Sequence, residues 1–319
     1  MAAPKTPRKG SLQYWPRKRI SKFLPSVNWS ALKEGSKTLK GFIGYKAGMA
    51  SAFVKDNSAD SMTHGKKITV PVTILECPPM RIFSVRFYKN GIVKDEVLGD
   101  NLEKDLKRKL KIPKISKNEC VKEIEKLKLE DYDNVRVICY SIPKRYAIKK
   151  TPDLIEIGLN GSIHDKINFV KEKTGKDIFV SDIFDKSQLV DSRGLTKGKG
   201  LCGPVKRMGL SLKGHKSEKG VRRPGSLGPW HPARVTYQVA LAGQVGLFTR
   251  VLYNNKIIEI GKAGSRKIEN VKNYGNVDGD FVVLTGSVQG PAKRQLLLTP
   301  ALRETKKQKK KNYEVLEIR

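Results

Sequence analysis

Residues 193–234 read RGLTKGKGLCGPVKRMGLSLKGHKSEKGVRRPGSLGPWHPAR, with eleven Lys/Arg, one acid, nine glycines and four prolines. Glycine and proline at that density deny the stretch a helix or strand period. Structureless connections longer than ~12–15 residues are uncommon inside compact domains. Ordering the backbone costs roughly 1–2 kcal/mol per residue. Apolar side chains such as Leu195, Leu201, Val205, Met208, Leu210 and Leu212 are too few to offset that cost, even at ~1.5–3 kcal/mol for each one fully buried. The segment is therefore either a disordered linker or a strip whose shape a partner supplies. Trp230 and His231 are unusual for a plain linker, the cations call for a polyanion, and glycine lets a phosphate approach the backbone. Folded RNA meets those demands.

The flanks read as strands. SQLVDS (187–192), RVTYQVALA (234–242), VGLFTRVLY (245–253), KIIEIG (256–261), GDFVVLTG (279–286) and RQLLLT (294–299) are short β-branched or aromatic runs. Turn signals such as Asn254-Asn255 and Asp278-Gly279 separate them. Upstream, 41–54 (GFIGYKAGMASAFV) and 68–88 (ITVPVTILECPPMRIFSVRFY) have the same character, interrupted at Asp56-Asn57-Ser58 and Pro78-Pro79. Strands at this spacing predict a small closed or nearly closed barrel, assembled from 41–91 and 186–300.

Between those halves the texture changes. Leu102, Leu106 and Leu110 fit a short amphipathic helix, and Ser116 with Glu119 forms a capping box for a second, through Val121, Ile124 and Leu127. NVRVICYS (134–141) and DLIEIGL (153–159) read as strands. Ser162 caps a third helix with Ile163, Ile167 and Val170 on one face, ended by Gly175. Residues 92–185 are thus expected to be an α/β insertion with its own small core. The fold class is mainly β with that insertion, a long basic internal extension (193–234) and basic arms at 1–40 and 301–319.

The 319 residues carry 64 Lys/Arg against 31 Asp/Glu, a formal net charge of +33, which repels itself unless a polyanion neutralises it. The excess is localised. Residues 1–40 have net charge +9, residues 193–234 +10 and residues 293–319 +6, whereas 92–185, with twenty bases and eighteen acids, have only +2. In the N-terminal arm, Tyr14, Trp15, Phe23 and Trp29 alternate with Arg17, Lys18, Arg19 and Lys22, as if rings stack on bases while cations meet phosphates. The other reading of that arm is a disordered tail whose rings pack back on the body. The candidate RNA-binding residues are Arg8, Lys9, Tyr14, Trp15, Arg17, Lys18, Arg19 and Lys22 in the arm. Those of the internal segment are Lys197, Lys199, Lys206, Arg207, Lys213, His215, Lys216, Arg222, Arg223, Trp230, His231 and Arg234. Trp230, between Gly228-Pro229 and His231-Pro232, suits either a rigid stacking wedge or a plug for the barrel mouth.

Other chemistries find little support. GLTKGKG lacks the GxxxxGK[ST] spacing and the hydroxyl that a phosphate loop needs. Cys77, Cys120, Cys139 and Cys202 share no CxxC spacing, and His64, His164, His215 and His231 form no ligand or catalytic pattern. No apolar run reaches the ~18–20 residues of a membrane span, and MAAPKTPRKG has no apolar signal core, so a cytoplasmic protein is expected.

Several separated motifs make the chain resemble the universal large-subunit ribosomal protein three family in its archaeal or eukaryotic form. They are PRKGSLQYWPRKR (7–19), GFIGYKAGM (41–49), TKGKGLCGPVKRMG (196–209), RRPGSLGPWHPARV (222–235) and AGQVGLFTRVLYNNKIIEIG (242–261). The resemblance implies a translation-protein-like β-barrel and an extension threading into ribosomal RNA toward the peptidyl transferase region, with Trp230 at its tip beside His231, Pro232 and Arg234. It implies a role early in large-subunit assembly, large-subunit rRNA and neighbouring ribosomal proteins as partners, a ribosome-bound location, no cofactor beyond the Mg2+ of the RNA environment, and no small-molecule substrate or enzymatic activity. The 92–185 insertion matches the extra domain of the archaeal and eukaryotic forms. The chain has Glu218 where eukaryotic members carry a histidine, so a role tied to that histidine does not transfer. The rival readings are a non-ribosomal RNA-binding protein of the architectural kind, an RNA-processing enzyme, which would need clustered carboxylates facing the cationic strip, and a translation factor, which would need nucleotide-binding machinery.

Overall fold

The structure, a computed structural model, describes residues 10–32, 35, 37–113, 120–217 and 220–319. It divides into two compact units, one of Leu24–Gly194 and Val251–Arg319, the other of Met1–Phe23 and Leu195–Arg250. Arg8, Lys9 and the Ser116/Glu119 capping box lie outside the described residues.

In chain order the elements are β1 (Phe42–Asp56), β2 (Lys67–Glu76), β3 (Met80–Lys89), β4 (Ile92–Leu98), α1 (Cys120–Lys126), β5 (Asn134–Ser141) and β6 (Leu154–Gly158). Next come α2 (Ile163–Lys173), β7 (Leu189–Leu195), β8 (Gly200–Cys202), α3 (Pro204–Met208), β9 (Gly243–Val245) and β10 (Thr249–Gly261). The chain ends with β11 (Ile268–Val271), β12 (Gly275–Val277), β13 (Phe281–Thr285), β14 (Gln295–Pro300), α4 (Lys306–Lys310) and β15 (Tyr313–Ile318).

The larger unit is organised by β1. A seven-stranded sheet runs β14-β7-β10-β13-β2-β1-β15, and β1 also pairs back to β14. The first residues of β1 meet β14 (Phe42↔Leu298, Tyr45↔Gln295), and its last meet β15 (Ala52↔Ile318, Asp56↔Tyr313). Phe42, Ile43 and Tyr45 are fully buried in the main apolar cluster, whereas Met49 and Ser51 further along β1 are exposed and alternate with more buried neighbours.

Pro78 and Pro79 have no N–H to give a ladder. The chain therefore leaves the first sheet, and β3 begins a second, four-stranded antiparallel sheet β4-β3-β5-β6. This sheet starts at Met80, before the expected insertion boundary at 92. Leu106, Tyr140 and Ile142 form a small buried cluster of its own, with Phe83, Leu102, Ile112 and Leu154 against it, but most of its apolar residues join the main core. Ile82, Val85, Val137 and Ile157 belong to one buried cluster with Phe42, Tyr45 and Leu297, and Tyr45 Oη lies 2.6 Å from both Ser141 Oγ and Asp153 Oδ2. Ser162 caps α2 as expected, accepting from the Asp165 N–H, and Ile167 and Val170 are buried. The expected helix through Leu102–Leu110 is only a 3-10 turn at Lys104–Arg108.

Other expectations need correction. Trp29 does not belong to a solvent-facing arm: it is 4% exposed in the core, and a Cβ on Gly158 would come within 2.7 Å of it, so only glycine fits there. The 301–319 tail ends in a strand of the main sheet. It is held by Lys256, whose buried ammonium donates to the carbonyls of Gln308 (3.1 Å), Lys309 (3.0 Å) and Lys311. Asn254-Asn255 is not a turn. β10 runs straight through, with Asn254 at φ 58° and its N–H donated to Asp191 (2.9 Å), so a kink replaces a chain reversal.

The smaller unit contains the two-stranded β8–β9 sheet and α3. Residues 234–242, expected as a strand, make no ladder. Val235 and Tyr237 are exposed, and without a cross-strand partner β-branched and aromatic residues do not hold a strand.

Candidate nucleic-acid interface

The smaller unit contains eighteen Lys/Arg, and its one acid is Glu218. Two of its cations build the platform. Arg207, on α3, donates from Nε to Gln244 O (3.2 Å) and from Nη1 to Leu241 O (3.0 Å), tying α3 to the approach to β9. Arg17 donates to Arg207 O (3.0 Å) and Ser11 O (3.3 Å), fastening the arm to α3, and its guanidinium lies 5.7 Å from the Trp15 ring. α3 starts at Pro204, whose missing N–H costs nothing at the first helical turn, and ends at Gly209 with φ 70°. Thr196 N–H donates to Phe248 O (3.0 Å) and Lys199 N–H to Val245 O (2.9 Å), closing the β8–β9 loop.

On this platform the arm residues Tyr14–Ser21, Phe248 and the first residues of β10, Thr249 and Arg250, border a cleft of about 580 Å3. Arg250 lies over Tyr14 at 4.1 Å and near Phe248 at 5.4 Å, and Trp15 meets Tyr237 at 5.8 Å with planes tilted 57°. Ile20 N–H donates to Leu247 O (3.2 Å), which keeps the arm along this edge. Lys18 and Arg19 line the cleft and are exposed, as are Lys22, Lys197, Lys199 and Lys206 elsewhere in the unit.

Beyond Gly209 the strip has no helix or strand until β9 among the described residues. Lys213, His215, Lys216, Arg222, Arg223, His231 and Arg234 are all exposed there, and Trp230 is 87% exposed, so the indole fills no cavity. Of the sequence candidates, the structure gathers Tyr14, Trp15, Arg17, Lys18 and Arg19 at one cleft. Arg17 and Arg207 also clamp backbone carbonyls, Lys22 is exposed in the arm, and Lys197, Lys199, Lys206, Lys213, His215, Lys216, Arg222, Arg223, Trp230, His231 and Arg234 are spaced along the strip. Phe248, Arg250 and Tyr237 escaped sequence reasoning. For Phe248 and Arg250 the signal was the aromatic-cation neighbourhood inside VGLFTRVLY, and Tyr237 lies in RVTYQVALA; strand composition explains both equally well.

The buried thiols and the clustered carboxylates among the described residues have structural surroundings. Burial pushes the Cys77 thiol well above its ordinary range, Cys139 to about 12 and Cys120 to about 11, which keeps all three protonated and unreactive. The carboxylates that gather are engaged structurally. Glu76, its proton affinity raised by burial, accepts from Tyr274 Oη, Asp278 N–H (3.1 Å) and Gly279 N–H (2.8 Å). No group of three or more His, Cys, Asp or Glu suited to a metal ion occurs among the described residues, nor is any of their helices long and apolar enough to cross a membrane.

A family model described as Ribosomal protein L3 matches residues 1–318. The large ribosomal subunit protein uL3 of Methanocaldococcus jannaschii is 40% identical over 309 residues, covering 93% of this chain and 91% of that protein. The uL3 proteins of Methanothrix harundinacea (38% over 314 residues, 95% and 93% covered) and Archaeoglobus fulgidus (38% over 317, 94% and 93%) are similar to the same extent. A match along nearly the whole length, on a chain that sets eighteen Lys/Arg against one acid in a single compact unit, places this protein in the ribosomal protein L3 family.

Proposed function

We propose that this protein is a structural, non-catalytic constituent of the large ribosomal subunit that binds ribosomal RNA through its cationic unit and has neighbouring large-subunit proteins as its other partners. The observation that carries this is eighteen Lys/Arg against a single acid in one compact unit of a chain with end-to-end likeness to uL3 proteins. The ring of pairings β14-β7-β10-β13-β2-β1-β14 supports a translation-protein-like barrel in the larger unit, with 80–185 as its α/β elaboration. The barrel docks on folded RNA. Residues 10–23 and 195–250 form a basic extension, and exposed Lys197, Lys199, Lys206, Lys213, Arg222, Arg223 and Arg234 displace counterions from phosphates. Trp230, held between prolines and open to solvent, stacks on or wedges between bases near the peptidyl transferase region, buttressing RNA that performs the chemistry. The protein supports subunit assembly, works in the cytoplasm on the ribosome, and needs no cofactor of its own beyond the Mg2+ of the RNA.

The test is the affinity of the full chain for large-subunit rRNA fragments between 0.1 and 0.5 M salt. Each phosphate contacted contributes ~0.7–0.9 to the slope of log affinity against log salt, so a slope of several units is expected. A flat dependence, or loss of the protein from large subunits in a moderate-salt wash, would contradict the proposal.

A further inference from the structure

The cleft beside the N-terminal arm has a lining that phosphate binding alone does not require. A charged groove alone can track a phosphate backbone, and aromatic faces inside it add stacking for bases. Here cations edge a concavity of about 580 Å3, within the range of small-ligand sites, that also contains flat rings. Arg250 covers one part of Tyr14 at 4.1 Å, yet Tyr14 stays 54% exposed, so much of the ring remains open. Trp15 is turned to Tyr237 rather than into the Arg250 stack. An arm merely stapled in place would close over its ring. No carboxylate lines the cleft, which disfavours a basic peptide, while Lys18 and Arg19 flank the opening for anionic groups.

We infer that this cleft takes a single unpaired base of an RNA strand, extruded from its stack, with its face on the Tyr14–Arg250 layer and its flanking phosphates on Lys18 and Arg19. The inference rests on the RNA-binding function proposed above and adds to it a site that recognises a flat base where the rest of the unit recognises charge. Every base has a π-face, so the site is tolerant of base identity and selective for single-stranded nucleotides.

The experiment uses the full chain carrying Trp230→Ala, which removes the most exposed aromatic ring among the described residues, with fluorescently labelled pentaadenylate and the same pentamer with all five riboses abasic. Stacking of one base on an aromatic residue corresponds to about 5- to 150-fold in affinity. Pentaadenylate is expected to bind tighter than the abasic probe by that factor. The gap should persist from 0.1 to 0.5 M salt, because stacking releases no counterions. Adding Tyr14→Ala should abolish the gap without weakening the abasic probe, and adding Tyr14→Phe should retain it. Equal binding of both probes by the chain carrying Trp230→Ala alone, or a gap that survives Tyr14→Ala, overturns the inference. If both probes bind equally but with steep salt dependence, phosphate binding by the unit stands and only the base site fails. If neither binds, both fail.

Discussion

Gly246→Ala tests how the cationic platform is built. Gly246 has φ 76°, a conformation costing other residues about 1–2 kcal/mol. A Cβ there would sit 1.9 Å from Lys197 O and 2.9 Å from the Lys197 carbonyl carbon, and both are backbone atoms that no rotamer change can clear. Relieving such an overlap costs about 1–3 kcal/mol more, so the β8–β9 closure should lose about 2–5 kcal/mol. The assay is amide hydrogen exchange on the full chain. Opening of the Thr196 and Lys199 N–H groups, bonded to Phe248 and Val245, should rise about 30- to several-thousand-fold, or to full exposure if the closure is less stable than that. Phe248 and Arg250 leave their positions with the loop, so rRNA-fragment affinity should fall as well. Protection in β1 and β2 should be unchanged, since these strands belong to the other compact unit. Wild-type exchange at Thr196 and Lys199 in the variant would refute the claim that backbone approach at Gly246 fixes this unit.

Two further outcomes follow from the geometry. Asp177 accepts from Arg81 (2.5 Å) and Arg145 (2.8 Å); burial opposes its ionisation, but the two guanidinium groups outweigh it and hold the carboxyl below the ordinary range. A depressed carboxylate stabilises the fold above its unfolded value of ~3.9 and loses that contribution as pH falls. Asp177→Asn should therefore cost about 1–3 kcal/mol at pH 7, and the difference from the parent in urea unfolding should shrink below pH ~4; a constant difference would contradict this. Among the tryptophans, Trp29→Ala should cost about 3–5 kcal/mol, whereas Trp230→Ala should change stability by less than about 0.5 kcal/mol yet impair large-subunit function, as checked by thermal unfolding and by translation with variant subunits.

The sequence is legible where local pattern and tertiary environment agree. β1, β5 and α2 fall where GFIGY, NVRVICYS and the Ser162 cap place them, because alternation, β-branching and capping are local causes. Reading fails where a distant partner decides. Trp29 looks like one more ring in a basic arm until Gly158 and the core close over it. RVTYQVALA has strand composition but no neighbouring strand to pair with, while the lysine-rich tail hides a strand that exists because β1 is long enough to pair with it. Arg17 and Arg207 read as RNA contacts from charge alone, yet carbonyl partners far along the chain make them clamps. The Arg250–Tyr14 layer joins residues 236 positions apart, and no spacing rule announces it.

The most direct measurement is hydrogen exchange over residues 210–242 in the free full chain and again in the assembled large subunit. These residues have no helix or strand among those described, and nearly all their side chains face solvent. Unprotected amides in the free chain that become protected in the subunit are expected if RNA gives the strip its shape. Strong protection in the free chain, with no nucleic acid present, would contradict it.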